Sequence, residues 1–113
     1  MICEPWDVVV VPFPFTDGPG VKRRPALVLS AGGFNRASGH TVLAMITSAR
    51  RSSWPGDIPL ASVTTGLPKD CVVRMKLFTL DNRLIARVIA KLASKERQRV
   101  RTSLEQALGV STA

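Results

Sequence analysis

The chain has few of the residues that metal centres, disulfide frameworks and histidine catalysis require. Its 113 residues include two cysteines, one histidine, eight acidic residues and no tyrosine. Two cysteines without a cysteine–histidine spacing predict neither a disulfide scaffold nor a zinc site. The acidic residues are scattered along the chain, so no carboxylate cluster for Mg²⁺ is predicted. We therefore expect no bound metal and no cofactor.

Long apolar runs are also missing from the sequence. No segment approaches the ~20 apolar residues of a transmembrane helix, so no membrane span is predicted. The first seven residues contain acids and no basic segment, which is not typical of a signal peptide. Cys3 and Cys71 are expected to be reduced and inert, as in a cytoplasmic protein. The length favours a single domain over residues 1–113.

Positive charge is the property that the chain has in excess. Sixteen lysines and arginines against eight acidic residues give a formal net charge of +8. Such a surface attracts polyanions and makes their binding sensitive to salt. Charge alone does not distinguish RNA from DNA, from an acidic protein or from a membrane surface. A basic soluble protein without a polyanionic partner is a further alternative.

Short apolar segments separated by turn residues predict a mainly β structure. The predicted strands are 8–15, 26–30, 41–47, 57–60 and 71–78, and loops are predicted at 31–39, 50–56 and 64–70. Pro12 and Pro14 cannot donate to a ladder and indicate an edge or a bend. The continuous apolar run in 41–47 favours burial on both faces.

The C-terminal segment predicts an α-helix. Ser94 is a suitable N-cap, Glu96 favours the first turn and Gly109 is a natural stop. Three apolar residues lie at helical spacing, Val100, Leu104 and Leu108. Residues 84–92 fit either a helix or a strand. Many short strands with one terminal helix predict a small, strongly bent sheet or barrel.

The segment 7–48 carries a resemblance to a known family. The apolar run 7–15 leads into turn-rich 16–20, and the cations of 22–24 stand directly before Pro25 and a second apolar run. A third run, 41–46, ends in the hydroxyl pair Thr47–Ser48. Cations at the start of one strand and hydroxyls at the end of another suit a phosphate backbone. This order of elements resembles the MazF/PemK family of toxin endoribonucleases over nearly the whole chain.

The resemblance implies an SH3-like β-barrel with a C-terminal helix, the MazF/PemK/CcdB-type toxin fold. It also favours a helical turn at 81–83 followed by a strand. The implied function is that of a type II toxin–antitoxin system toxin, which cuts single-stranded RNA at a short sequence without a metal. The products would carry 2′,3′-cyclic phosphate and 5′-hydroxyl ends. The implied partners are a second copy in a homodimer and a small acidic cognate antitoxin, whose complex with the toxin would bind DNA.

Arg24 and Thr47 are the predicted catalytic residues. Arg24 stands just before Pro25, where the family has a catalytic arginine, and its planar fork can hold two phosphate oxygens. Guanidinium is a poor proton shuttle, so charge stabilisation is its expected role. From the residues alone, an arginine in a Lys-Arg-Arg run is usually a solvated charge. Thr47 ends a strand where the family threonine contacts the scissile phosphate, and Ser48 should point to the other face.

Further RNA contacts are expected near these two residues. Period-2 alternation places Arg74 and Lys76 on one face of their strand. Residues 79–81, Thr-Leu-Asp, match a family motif, although the polar residues that often precede that motif are absent, and no counterpart of a carboxylate base is present. The predicted RNA-binding residues are Lys22, Arg23, Ser48, Arg74, Lys76 and Thr79. The predicted gating loop contains Thr16, Asp17, Gly18 and Gly20.

Three questions stay open at the level of sequence. Trp6 and Trp54 either stack on bases or pack in the core or at its rim. A DNA gyrase poison like CcdB on the same barrel is an alternative, but that family depends on a C-terminal Trp-Gly pair, and this chain ends Gly-Val-Ser-Thr-Ala. A noncatalytic RNA-binding barrel is the other alternative, and its binding would survive the loss of Arg24.

Overall fold

The computed structural model describes residues 1–13 and 22–110. In these ranges the chain forms strands β1 (Asp7–Pro12), β2 (Arg23–Val28), β3 (His40–Ser48), β4 (Ile58–Pro59), β5 (Cys71–Asp81) and β6 (Arg87–Lys91). It also forms helices α1 (Gly32–Ser38), α2 (Ser62–Thr65) and α3 (Ser94–Leu108), and a 3₁₀ turn at Asn82–Leu84. The helical turn and the strand expected after residue 80 are both confirmed.

The six strands form one antiparallel sheet in the order β4-β5-β3-β2-β1-β6. The sheet curls into a half-barrel whose described edges are β4 and β6, and α3 follows it. The prediction of a mainly β fold with a C-terminal helix is confirmed. No helix in the described ranges is long and apolar enough to cross a bilayer.

Alternation along the strands divides the buried side chains between the two faces of the sheet. The first face carries a core that contains Val9, Val11, Ala26, Leu43 and Phe78. The second face carries a core that contains Val8, Leu27, Ala44, Ile46, Leu92 and Val100. The central strand β3 contributes to both cores, as its continuous apolar run predicts. Because side chains alternate between the two faces, the position of a residue along its strand tells which of the two cores it faces.

The pairing of β3 with β5 contains one irregularity. Ala44 pairs with Leu77 and Met45 pairs with Arg74, so two extra residues of β5, Met75 and Lys76, have no partner on β3. Two extra residues keep the alternation in phase, and Met75 and Leu77 both pack against the second core. Arg74 and Lys76 therefore share the first face, in agreement with the sequence.

The segment predicted as a loop at 31–39 contains helix α1, so that prediction is wrong. Asn35 explains the helix, because this side chain is fully buried and its amide donates to the carbonyls of Cys3 and Ser30. These tertiary hydrogen bonds outweigh the low helix propensity of the glycines. Gly39, at φ 73°, ends the helix in the left-handed conformation.

Two details at the ends of other helices also differ from the sequence prediction. Ser94 is the first residue of α3 rather than its N-cap, and Ala93 occupies the cap position without a side-chain hydrogen bond. Leu108 is exposed, so the apolar stripe of α3 ends before it. The first two residues of the turn predicted at 64–70 belong instead to helix α2, which ends at Gly66. Gly109 ends α3 as predicted.

Both cysteines are unpaired and buried. Burial raises the pKa of the Cys3 and Cys71 thiols, which favours the protonated, unreactive form. Asp81 also has a structural role, since its carboxylate accepts from the backbone N–H and the guanidinium of Arg83. These bonds lower the pKa of Asp81 well below its usual range and hold the 3₁₀ turn. The acid of the Thr-Leu-Asp motif is therefore occupied by Arg83.

Candidate functional site

Arg24 and Thr47 lie on the first face, where β2 and β3 separate. The ladder between these strands runs from Val28↔Leu43 to Ala26↔Met45 and stops there. Pro25 has no N–H with which to continue it. Extending the same register by two residues places Arg24 across from Thr47, and each is two residues from a side chain of the first core. The sheet thus puts the two predicted catalytic residues on the same face of neighbouring strands.

The two side chains differ in burial. Arg24 is exposed and pairs through its backbone with Val11 of β1. Among the described residues its guanidinium has no hydrogen-bond or ion-pair partner, so its donors face solvent. Thr47 is half-buried and pairs with Val72 of β5. A solvated fork beside a partly shielded hydroxyl is suited to hold an anionic phosphate oxygen.

Three of the predicted RNA-binding residues lie away from this pair. Ser48 is the residue after Thr47, and Arg23 is the residue before Arg24. Because side chains alternate along a strand, both lie on the second face. Thr79, opposite Val42, is also on the second face. Arg23 lines a shallow depression together with Arg83.

Lys22 and the predicted gating loop lie beside Arg24 in sequence. Lys22 is exposed, and its carbonyl accepts from the N–H of Phe13, 2.9 Å away. Phe13 packs edge-on against Phe78, with ring centroids 5.8 Å apart. These contacts fix both ends of the connection between β1 and β2. Thr16, Asp17, Gly18 and Gly20 lie outside the described residues.

Arg74 is buried and holds Asp57 and Ser52 through hydrogen bonds, and this group of three residues is called the clamp below. Arg74 is 6% exposed, and its Nε and Nη2 donate to the two carboxylate oxygens of Asp57 at 3.1 and 2.9 Å. Nη1 donates to Ser52 Oγ at 3.0 Å, and Nη2 also donates to the Ser52 carbonyl at 3.2 Å. The bond to Asp57 raises the pKa of Arg74 further. The geometry favours a positioning role for Arg74, and its contact with RNA stays a prediction.

Trp54 stands on the loop that this clamp holds. Its ring centroid is 5.8 Å from the Arg74 guanidinium carbon and 5.8 Å from Lys76 Nζ. Both cations rise from the first face of β5, on the side of the sheet that carries Arg24 and Thr47. The sequence did not identify Asp57 and Ser52 as partners of Arg74. The one signal in the sequence for these partners was the position of Arg74 in a strand expected to be buried. A buried cation requires an acidic residue nearby.

Trp6 has a different environment from Trp54. It is half-buried against the second core, and the Arg101 guanidinium carbon is 5.2 Å from its ring centroid. Its backbone N–H donates to Val28, and its carbonyl accepts from Leu92. Trp6 is therefore a packing residue that joins the end of β2, the segment before α3 and the middle of α3.

The histidine, cysteine and acidic side chains do not form a candidate metal site in the ranges that the structure describes. No three histidine, cysteine or acidic side chains there come together as a metal site. His40 is exposed at the start of β3, with Nδ1 3.1 Å from the Ser38 carbonyl oxygen. The chemistry available on the first face is thus cationic and hydroxylic.

Comparisons with known proteins point to one family. A family model described as "PemK-like, MazF-like toxin of type II toxin-antitoxin system" matches residues 4–108. A comparison of the sequence with curated proteins gave no significant match.

Solved structures resemble the chain over its length. A MazE–MazF crystal structure (form III) from Deinococcus radiodurans is 28% identical, with a TM-score of 0.80, and the alignment covers 98% of this chain and 100% of that one. MazF (form I) from the same organism is 26% identical, with a TM-score of 0.78 and coverages of 97% and 99%. An endoribonuclease in complex with its cognate antitoxin from Mycobacterial species shares the fold at 16% identity, with a TM-score of 0.75 and coverages of 99% and 98%.

Proposed function

Because the chain belongs to the PemK-like, MazF-like toxins of type II toxin–antitoxin systems, we propose that it is a metal-independent endoribonuclease that cuts single-stranded RNA. The observation that carries this proposal is that Arg24 and Thr47 lie on one face of the neighbouring strands β2 and β3, each two residues beyond the last pair Ala26↔Met45. Endoribonuclease activity is the known function of the family. The net charge of +8 supports a polyanionic substrate.

The proposed reaction uses the substrate's own 2′-hydroxyl as nucleophile. Its oxygen bonds to the adjacent phosphorus as its proton is lost, and the bond from phosphorus to the 5′-oxygen breaks. The 5′-oxygen takes up a proton, which leaves a 2′,3′-cyclic phosphate and a 5′-hydroxyl. Negative charge develops on the non-bridging phosphate oxygens in between, and Arg24 stabilises it through two N–H donors. The Thr47 hydroxyl donates to the same phosphate and fixes its orientation.

Cleavage is expected to persist when divalent metals are removed. The purified protein would be incubated with a long RNA in excess EDTA, and both ends of each fragment would be mapped. Fragments with 5′-hydroxyl and 2′,3′-cyclic phosphate ends support transesterification by protein side chains. Strict dependence on Mg²⁺, or 5′-phosphate ends, would contradict the mechanism. RNA binding without any cleavage would favour the noncatalytic barrel, and inhibition of gyrase would favour the CcdB-like alternative.

We further propose that the protein acts in the cytoplasm as a homodimer and is held inactive by a small acidic antitoxin. The support is the family, the excess of positive charge and the need of a cell to restrain an RNA-cutting enzyme. A segment that folds as it binds would cover Arg24 and displace RNA from it. Light scattering should give twice the chain mass of 12.2 kDa.

Cleavage titrated with the co-encoded acidic protein should fall to zero, and tight binding that left cleavage intact would refute the blocking model.

A further inference from the structure

Trp54 is a large aromatic residue at the surface, on a hydrogen-bonded loop. The residue is 43% exposed. Its backbone N–H donates to Asp57 Oδ2 at 3.1 Å, and the Asp57 backbone N–H donates to the Trp54 carbonyl at 3.1 Å. The same carboxylate is held by the buried Arg74. These bonds hold the backbone of Trp54, and the contacts of its ring with Arg74 and Lys76 place the indole over the sheet.

The ring stands on the face of the sheet that carries the candidate catalytic pair. Thr47 pairs with Val72, and Arg74 is two residues further along β5 on the same face. Cross-strand neighbours offset by two residues are about 7–8 Å apart, which is within the reach of a nucleotide whose phosphate is at Arg24 and Thr47. The Trp54 ring lies 5.8 Å from the Arg74 guanidinium carbon, so an RNA strand that runs from Thr47 across Arg74 meets the ring.

The chemistry around the ring suits an unpaired nucleobase. Arg74 and Lys76 rise from the sheet and approach the indole from that side, which leaves the exposed part of the ring directed to solvent. Aromatic faces stack on bases of any sequence, and the net positive charge of the chain attracts the phosphates of the strand. In duplex RNA both faces of each base are already stacked, so only a single strand offers a face to Trp54.

Resting on the proposed function, we propose that Trp54 is a stacking platform for one unpaired base next to the scissile phosphate. Arg74, Asp57 and Ser52 act as positioning residues that hold the platform. This role explains why a buried bidentate ion pair is placed under a surface loop. It also assigns the preference for single strands to a particular side chain.

The test uses tryptophan fluorescence and an RNA that cannot be cut. Trp6→Phe leaves Trp54 as the one tryptophan of the chain, which has two. A 2′-O-methyl RNA lacks the nucleophilic hydroxyl, so binding is measured apart from cleavage. Stacking predicts quenching of Trp54 by the single-stranded 2′-O-methyl RNA and much weaker quenching by polyphosphate of equal charge or by duplex RNA. Equal quenching by polyphosphate would overturn the proposal.

Substitutions at Trp54 give the second measurement. Trp54→Ala should weaken binding of the 2′-O-methyl RNA by about tenfold, and Trp54→Phe, which keeps an aromatic face, should retain most of the affinity. Affinity of Trp54→Ala within twofold of the parent would overturn the proposal. The wild-type protein is assayed in parallel on ordinary RNA. If it does not cut, the proposed endoribonuclease function fails, while the fluorescence result still decides the stacking role.

Discussion

Arg24→Ala is expected to reduce RNA cleavage by several hundred-fold. Removing a charged donor that stabilises the developing phosphate charge costs about 3–4 kcal/mol in activation free energy. Arg24 is exposed and has no partner among the described residues, so its removal leaves no buried group unsatisfied and the fold intact. The measurement is the single-turnover rate on one end-labelled RNA, with the melting temperature as the check on folding.

Neighbouring substitutions separate a specific role of Arg24 from a general effect of charge. Arg23→Ala removes the same charge from the second face and should lower the rate far less, through weaker RNA binding alone. Arg24→Lys keeps the charge but loses the two-pronged fork, so it should recover only part of the rate. Thr47→Ala should reduce cleavage strongly. Turnover by Arg24→Ala at the wild-type rate would show that Arg24 is not the catalytic residue.

Arg74→Ala is expected to destabilise the protein by about 3–5 kcal/mol. The loss is large because the Asp57 carboxylate, whose side chain is 15% exposed, would be left without the cation that now binds both of its oxygens. Since small domains are stable by only about 5–15 kcal/mol, the variant should unfold at clearly lower urea. The measurement is urea denaturation at fixed protein concentration.

Arg50→Ala is the matched control for this prediction. It removes an arginine from an ion pair with Asp70 in which both side chains are largely exposed, and such pairs contribute about 0–1 kcal/mol. A double-mutant cycle of Arg74→Ala with Asp57→Ala should give a coupling free energy of at least about 1 kcal/mol. Equal losses for Arg74→Ala and Arg50→Ala would mean that the clamp does not stabilise the fold.

The sequence was sufficient to predict features that depend on local residue patterns and on the order of elements shared with the family. The order of the strands, the helical turn near residue 82 and the terminal helix follow from alternation and turn residues, although β2 was predicted at 26–30 and begins earlier, at Arg23. These are short-range signals, and a curled antiparallel sheet joins mostly consecutive strands.

Features that depend on distant partners were not accessible from the sequence. Helix α1 forms in a glycine-rich segment because Asn35 reaches a carbonyl 32 residues away. The clamp links Arg74 to residues 17 and 22 positions earlier, and nothing local marks Asp57 as its acid. Trp54 could not be separated from a core tryptophan until the loop beneath it was placed.

The two unmatched residues of β5 have a consequence for how the chain tolerates changes of length. Met75 and Lys76 form an even insertion relative to β3, so the strand re-enters its ladder with every side chain still facing its own core. Deleting both residues would shorten β5, and each remaining side chain would still face the same side of the sheet. Deleting either one would invert the orientation of one half of β5, turning Arg74 toward the apolar second core and Val73 toward the first face. A change of length at this point of the fold therefore preserves the facing of β5 only in steps of two residues.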